Sequence, residues 1–205
     1  MSSRRALSCL GYRDRLGDGV LGEGSNLWDN PFSNESCLMR TANGGMCRIN
    51  EFRRVGWRGG PRASSVHMSL YGTAASFETH AAGAVWVPHT GDIVDVTEKL
   101  TFRDTPVSPD DIGLSEDFQN DLPTSHAPVH PANRLPQEFK GLRNGHEGSH
   151  QFLVDDFVQA VAHHELPPVN VWEAAKYATP GIVAHESALR DGEMLAVADF
   201  GDSPR

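Results

Sequence analysis

Residues 146–150 near the middle of the chain, His146-Glu147-Gly148-Ser149-His150, match the H-E-x-x-H pattern of zinc metalloproteases. That pattern works when both histidines lie one helical turn apart on one ion and the glutamate stands beside a zinc-bound water. A helix must therefore run through all of these residues. Gly148 costs about 1 kcal/mol relative to alanine inside such a helix, and Asn144-Gly145 is a turn signal directly before it.

Ser149 indicates a different starting point for the helix. Serine favours the N-cap, and an apolar period of 3.6 residues starts at Phe152, so His146 and Glu147 are predicted to lie outside the helix. None of the later candidates for a third zinc ligand has a suitable spacing: Glu165, Glu173 and His185. The favoured interpretation is a polar turn into a capped helix without metal ligands, and a zinc hydrolase is the alternative. The exposed N–H groups of such a helix start can also bind a polar ligand.

The whole chain has 205 residues, of which 39% are hydrophobic and 22% charged, a composition typical of a soluble globular protein with one domain. Its net charge of −9, without any basic block, argues against nucleic acid and anionic membranes as partners. Because neither a signal peptide nor an apolar span is recognisable, a cytoplasmic protein is predicted. The cysteines have no C-x-x-C spacing and are predicted to be small buried or half-buried apolar residues: Cys9, Cys37 and Cys47.

The first half of the chain predicts an antiparallel sheet. Residues 12–36 are rich in Gly, Asp and Asn and are predicted to form a loop. Asn43-Gly44, between two strand-like segments, is a strong hairpin signal. Residues 66–72 and the segments ASFETH, AVWVPH and DIVDVT follow at short spacing, so five or six strands in series are predicted.

The second half predicts an insert followed by two helices. Residues 103–144 form an irregular proline-rich insert, with one short helical turn after Pro136. The first helix runs from His150 to His164, and the second is capped by Asn170 and stopped by Asp191-Gly192, before a last short strand in MLAVADF. The apolar stripes predicted for the two helices are Leu153, Val154, Phe157, Val158, Val161 and Ala162 in the first, and Trp172, Ala175, Thr179, Ile182 and Val183 in the second.

The order of these features resembles the C-terminal domain of the Gfo/Idh/MocA oxidoreductases. The segments WDNPFSNES, NGGMCRINEFRRVGW and LYGTAASFE are similar to the strands of that domain. The C-terminal part of that domain has a turn, a helix, a proline break, an alanine-rich helix and a short strand. The matching residues here are, in order, Gly148-Ser149-His150, Asp156-Phe157, Pro167-Pro168, Ala174-Ala175 and Gly192-Glu193. The resemblance covers roughly residues 8–200 except the insert. It implies a single domain over residues 1–205 with an α+β fold, in which helices pack on one face of an open, mostly antiparallel sheet.

The resemblance also implies a function. Family members join such a domain to an N-terminal Rossmann domain that holds NAD or NADP, and they transfer a hydride to or from a sugar, cyclitol or related polyol. No G-x-G-x-x-G follows a strand here, since Gly17-Asp18-Gly19 and Gly22-Glu23-Gly24 lie in a predicted loop. The family's Glu-Lys-Pro motif and its active-site lysine and histidine region are not found. The expectation is therefore the substrate-binding part of an oxidoreductase, which binds no cofactor and is inactive without a Rossmann half.

Residues for contact with a sugar-like substrate are predicted at three places, while no catalytic, cofactor-binding or metal-ligating residue is assigned. His146 and His150 line a cleft at the helix start or form a capping turn. Trp28 and Asn30 combine an aromatic ring and an amide for sugar recognition, or pack a loop. Arg48 faces a cleft or belongs to a surface ladder of charges.

Polar residues on both faces of the predicted strands are awkward in a monomer and predict a homo-oligomer through the sheet face. The alternative to the oxidoreductase is a non-catalytic protein that uses the sheet domain for oligomerisation or ligand binding. The identity of the substrate, the choice between NAD and NADP, and the oligomer size stay open.

Overall fold

The computed structural model describes residues 5–13, 24, 26–52, 66–80, 83–100, 134–139 and 149–204. The strands are β1 (Ala6–Arg13), β2 (Phe32–Arg40), β3 (Met46–Phe52), β4 (Val66–Tyr71), β5 (Ala75–His80), β6 (Gly83–Pro88), β7 (Val94–Asp95) and β8 (Leu195–Ala196). The helices are α1 (Thr97–Leu100), α2 (Ser149–His163) and α3 (Val171–Leu189). The chain divides into two compact units, one of residues 1–96 and 174–202 and the other of residues 97–173 and 203–205.

The first unit is built on an open antiparallel sheet of eight strands in the order β7-β6-β5-β4-β3-β2-β1-β8. Strands β1 to β7 are neighbours in chain order, and each pairs antiparallel with the strand that follows it. After α3 the chain returns as β8, which pairs with β1 through Leu7 and Leu195. The predicted antiparallel sheet is confirmed. It has seven strands in series rather than five or six because residues 6–13 also form a strand.

The hairpin predicted at Asn43-Gly44 is present between β2 and β3. The N–H of Gly44 donates to the carbonyl of Thr41 at 3.1 Å, and the N–H of Thr41 donates to the carbonyl of Gly45 at 2.9 Å. Gly44 has a φ of 87°, a left-handed conformation that glycine adopts without steric cost. This turn fixes the register between the two strands.

The loop predicted for residues 12–36 is wrong at both ends. Tyr12 and Arg13 complete β1, and residues 32–36 open β2. Ser33 and Asn34 are buried although their types favour turns. Pairing with β1 on one side and β3 on the other overrides that local preference, because central strands satisfy their backbone and side chains through their neighbours.

The core lies between the last two turns of α3 and the neighbouring strands β1 and β2. It consists of Leu7, Cys9, Phe32, Cys37, Ala184 and Ala188. The alanines allow the helix backbone to approach the sheet closely. The predicted stripe of α3 is therefore partly wrong, since Ile182 is exposed and the buried face is formed by Ala184, Ser187 and Ala188 instead.

Both predicted helices are present. α2 begins at Ser149, as its sequence predicts. The predicted cap of α3 is confirmed, because Asn170 Oδ1 accepts hydrogen bonds from the N–H groups of Trp172 at 3.1 Å and Glu173 at 3.3 Å. α3 also ends just before the predicted stop at Asp191-Gly192, where both residues have positive φ.

The second unit contains α2, which buries Phe152 and Ala160. Arg134, which precedes this helix in the chain, contacts its first two turns. Its guanidinium lies 5.1 Å from the centroid of the Phe152 ring and forms ion pairs with Asp155 at 3.1 Å and Asp156 at 2.9 Å. The stripe predicted for α2 is not its buried face. Five large members of that stripe are more than half exposed: Leu153, Val154, Phe157, Val158 and Val161.

Of the proline-rich insert at 103–144, the structure describes residues 134–139. They include the turn predicted after Pro136, which is a 3-10 helix at Gln137–Phe139. Among the helices in the described part of the chain, none combines the length and apolar character that a membrane crossing requires.

Candidate functional site

A loop from Asn26 to Asn30 is organised by the side chain of Asn26 just before β2 begins. Asn26 Oδ1 accepts hydrogen bonds from the N–H groups of Trp28 at 3.2 Å and Asn30 at 3.0 Å, and Nδ2 donates to the carbonyl of Asn30 at 2.9 Å. The N–H of Asp29 donates to the Asn26 carbonyl at 3.1 Å. An asparagine that replaces backbone partners in this way gives an irregular segment a defined conformation.

The loop presents its apolar side chains to solvent. Leu27 is 95% exposed and Trp28 is 81% exposed. An indole ring on an ordered backbone can stack on the apolar face of a sugar ring. Asn30 has a positioning role here, because its Oδ1 accepts a hydrogen bond from the N–H of Phe32 at 2.8 Å and so orients the start of β2.

Just before this loop, Gly24 does not offer its N–H to a phosphate of NAD or NADP, the cofactor that the family resemblance implies. Gly24, with a φ of 70°, donates its N–H to Asp29 Oδ1 at 2.6 Å. A phosphate bound at Gly24 would need this N–H as a hydrogen-bond donor. The N–H already donates to the Asp29 carboxylate, whose negative charge would repel the phosphate. The other glycines of Gly17-Asp18-Gly19 and Gly22-Glu23-Gly24 lie outside the described residues.

Phe32 connects the loop to α3. Its ring meets the imidazole of His185 edge-on, with centroids 5.8 Å apart and an interplanar angle of 74°. The guanidinium of Arg13 lies 5.6 Å from the centroid of the same ring. Gly11 provides the room for this ring, because a Cβ at that position would lie 2.5 Å from Phe32. The glycine therefore permits the packing that places His185.

Glu35 and His185 form a hydrogen-bonded pair between β2 and α3. Nδ1 of His185 lies 2.9 Å from Oε1 of Glu35. A carboxylate accepts, so Nδ1 carries the proton and Nε2 of the neutral ring keeps its lone pair. The side chain of His185 is 34% exposed and that of Glu35 is 25% exposed, so the pair is half-buried. A carboxylate that orients an imidazole in this way suits the imidazole to accept a proton from a substrate hydroxyl.

Arg48 lies on the face of the sheet opposite to Glu35. Glu51 is the cross-strand partner of Glu35, and side chains alternate along β3, so Arg48 points to the other side. Arg48 Nη2 donates to the Oγ of the buried Ser69 at 2.9 Å and so links β3 to β4. The structure does not bring Arg48 together with the Glu35–His185 pair.

The predicted histidines lie elsewhere. His150 is exposed in the first turn of α2, within the second unit, and His146 lies outside the described residues. Glu35 is not among the site residues predicted from the sequence. His185 is named there only as a candidate third zinc ligand without a suitable spacing. No spacing signal could have joined them, because 150 residues separate the two and only the docking of α3 on β2 makes them neighbours.

Within the described ranges, no group of three or more His, Cys, Asp or Glu side chains is arranged to hold a metal ion.

Comparison with known proteins adds no relative: no protein-family model, no curated protein and no solved structure matches this chain.

Proposed function

We propose that this chain is the substrate-binding sheet domain of an NAD(P)-dependent oxidoreductase of the Gfo/Idh/MocA type and that it binds a sugar, cyclitol or related polyol. The observation that carries the proposal is the Glu35–His185 pair, in which Glu35 lies on β2, the strand that follows the Trp28 loop, and His185 lies on α3. A polyol offers both an apolar ring face and hydroxyl groups. Trp28 suits the ring face, and the Glu35–His185 pair suits a hydroxyl group. The antiparallel sheet followed by closing helices supports the proposal as the architecture that the resemblance implies.

In this proposal each residue has a separate task. Trp28 stacks on the apolar face of the polyol, while Asn26 and Asn30 hold the loop that carries it. Nε2 of His185 accepts a proton from one hydroxyl, and Glu35 stabilises the imidazolium that forms. Removal of that proton is the acid–base half of alcohol oxidation. The hydride half requires a nicotinamide, which a complete family member holds in its Rossmann domain, so this chain alone binds a polyol without oxidising it.

Saturation-transfer NMR with myo-inositol and D-glucose as probes tests the binding step. The wild-type chain is expected to transfer saturation to at least one of the two polyols. Trp28→Ala should abolish the transfer, because it removes the stacking ring. Leu27→Ala is the matched control, since it truncates an even more exposed side chain of the same loop, and it should leave the transfer intact. Absence of transfer in the wild type, or equal loss in both variants, contradicts the proposal.

A second candidate function, a non-catalytic oligomerisation module, is favoured by one feature of the sheet. The strand registers align an uninterrupted row of apolar residues across all eight strands: Leu195, Leu7, Met39, Cys47, Leu70, Phe77, Trp86 and Val94. α3 covers the row near β1, whereas Leu70, Trp86 and Val94 are 43–44% exposed. A sheet with an apolar face buries it against another surface, and a second copy of the chain is the proposed partner.

Light scattering during size-exclusion chromatography tests this second candidate. Leu70→Glu places a charge in the row and is expected to reduce the assembly to a monomer. Leu38→Glu is the control, because Leu38 is 55% exposed on the opposite face and should leave the mass unchanged. A wild-type chain that is already monomeric at high concentration contradicts the oligomer.

A further inference from the structure

Cys9 and Cys37 are direct cross-strand neighbours in β1 and β2. The N–H of Cys9 points away from β2, because it donates to Ser187 Oγ in α3 at 2.9 Å. The two cysteines therefore form a non-hydrogen-bonded pair, the kind in which opposite Cα atoms lie about 4.5 Å apart and side chains approach closest. Disulfides bridge Cα atoms about 4.4–6.8 Å apart, so this pair can be joined without moving either strand.

Cys47 does not share that relationship. Cys37 lies opposite Ile49, and Cys47 lies opposite Met39, so Cys37 and Cys47 are diagonal neighbours. Diagonal Cα atoms on adjacent strands are roughly 7–8 Å apart, beyond the range of an unstrained disulfide. Of the pairings that three cysteines allow, the sheet therefore selects Cys9 with Cys37.

The two opposed thiols also differ in acidity. A hydrogen bond from the Cys37 thiol lowers the pKa of Cys9. The same bond, together with burial, raises the pKa of Cys37. Since the thiolate is the reactive form, an oxidant reacts first with the sulfur of Cys9. Cys37 beside it then acts as the resolving thiol.

We propose that Cys9 and Cys37 form a thiol-oxidation site that closes to an intrachain disulfide, with a hydroperoxide as the oxidant. The Cys9 thiolate attacks the O–O bond, which breaks to give a sulfenic acid on Cys9 and, from hydrogen peroxide, a hydroxide. The Cys37 sulfur then attacks the Cys9 sulfur, and the sulfenic hydroxyl leaves as water with the Cys37 proton. In sum, two thiols and one hydrogen peroxide yield one disulfide and two waters.

The helix α3 controls access to this site. Cys9 and Cys37 are 1% and 3% exposed beneath Ala184 and Ala188. Ser187 anchors the helix end over them, since its Oγ accepts from the Cys9 N–H and donates to the carbonyl of Glu193 at 2.6 Å. Peroxide consequently reaches Cys9 when the last turns of α3 separate from β1, and the oxidation rate follows the population of that open form.

Peptide mapping tests the pairing. The reduced full-length chain is treated with hydrogen peroxide, its remaining thiols are alkylated in denaturant, and it is digested with trypsin. The arginines place the three cysteines on separate peptides, residues 6–13, 16–40 and 41–48. The expected product is peptide 6–13 joined to peptide 16–40 with the loss of two hydrogens, while peptide 41–48 is alkylated. A link that includes peptide 41–48, or further oxidation of Cys9 without a link, overturns the proposal.

Variants separate the chemistry from the access. Cys37→Ser should stop the reaction at a sulfenic acid on Cys9 that dimedone traps, whereas the control Cys47→Ser should form the link at the wild-type rate. Ser187→Ala should accelerate link formation about fivefold, as the loss of the one hydrogen bond that joins α3 to the Cys9 N–H predicts. A low concentration of urea should also accelerate the reaction of the wild type, because urea raises the population of the open form. This measurement tests the role of α3 without a variant, in case Ser187→Ala folds poorly. Rates that respond neither to urea nor to Ser187→Ala overturn the role of α3.

Discussion

Nδ1 of His185 lies 2.9 Å from Oε1 of Glu35, although 150 residues separate these two side chains along the chain. The pair exists because Glu35 points to the face of the sheet on which α3 packs. Phe32 contacts the same imidazole edge-on and limits the orientations of the ring. The carboxylate and the packing together therefore fix which ring nitrogen is left to accept a proton.

The tautomer of His185 is the first testable consequence. In the wild type, the neutral ring should carry its proton on Nδ1, and Glu35→Gln should shift the population towards the Nε2–H form. Long-range ¹H–¹⁵N NMR distinguishes the two forms. His163 is an internal control, because its Nδ1 lies 2.8 Å from the Gln159 carbonyl and should keep its tautomer in the variant. A wild-type His185 protonated on Nε2 would show that the carboxylate does not orient the ring.

Two glycine substitutions should have opposite effects on stability. Gly11→Ala should destabilise the fold by about 1–3 kcal/mol, because its Cβ would lie 2.5 Å from the Phe32 ring and displace the packing beside His185. Gly181→Ala, in open space within α3, should stabilise it by about 0.5–1 kcal/mol. Urea denaturation measures both free energies of unfolding. Equal effects of the two substitutions would refute the packing argument at Gly11.

Local signals account for the parts of the fold that the sequence could predict. The Asn43-Gly44 turn and the Asn170 cap each depend on a few neighbouring residues whose side chains or φ angles determine the outcome. The strand segments after residue 66 have turns at short spacing and were recognisable for the same reason.

The parts that could not be predicted depend on distant partners. Residues 32–36 look like a loop, yet they form a buried strand because β1 and β3 flank them. Apolar periodicity located α2, but its buried face is Phe152 and Ala160 rather than the stripe. The Glu35–His185 pair likewise requires both the sheet register and the docking of α3, so neither residue carried a signal of its own.

Stability should decline at alkaline pH in a manner that depends on Cys47. Burial raises the pKa of Cys47 above its ordinary value of 9.0, so the folded state holds this proton more tightly than the unfolded state. Its contribution is complete below pH 9.0 and is lost as pH rises through the raised pKa. Urea midpoints at about pH 8 and about pH 10, measured with reductant, should converge in Cys47→Ser relative to the wild type. An identical decline in both proteins would assign it to other groups.

NADH should not bind this chain on its own in the sub-millimolar range. The N–H of Gly24 is engaged by the Asp29 carboxylate, which would repel a phosphate at that position. A titration that follows NADH fluorescence measures this directly. Saturable binding below about 1 mM, the upper end of common Michaelis constants, would contradict the assignment of the cofactor to a separate domain.

The central claim, that a polyol binds at Trp28 and His185 together, is tested most directly by residue-resolved NMR titration with myo-inositol and D-glucose. For at least one of them, the indole N–H of Trp28 and the imidazole resonances of His185 should shift with the same dissociation constant, and Glu35→Gln should reduce the His185 shift while Trp28 still responds. Silence at both residues, or binding that leaves His185 unperturbed in the wild type, would contradict the account.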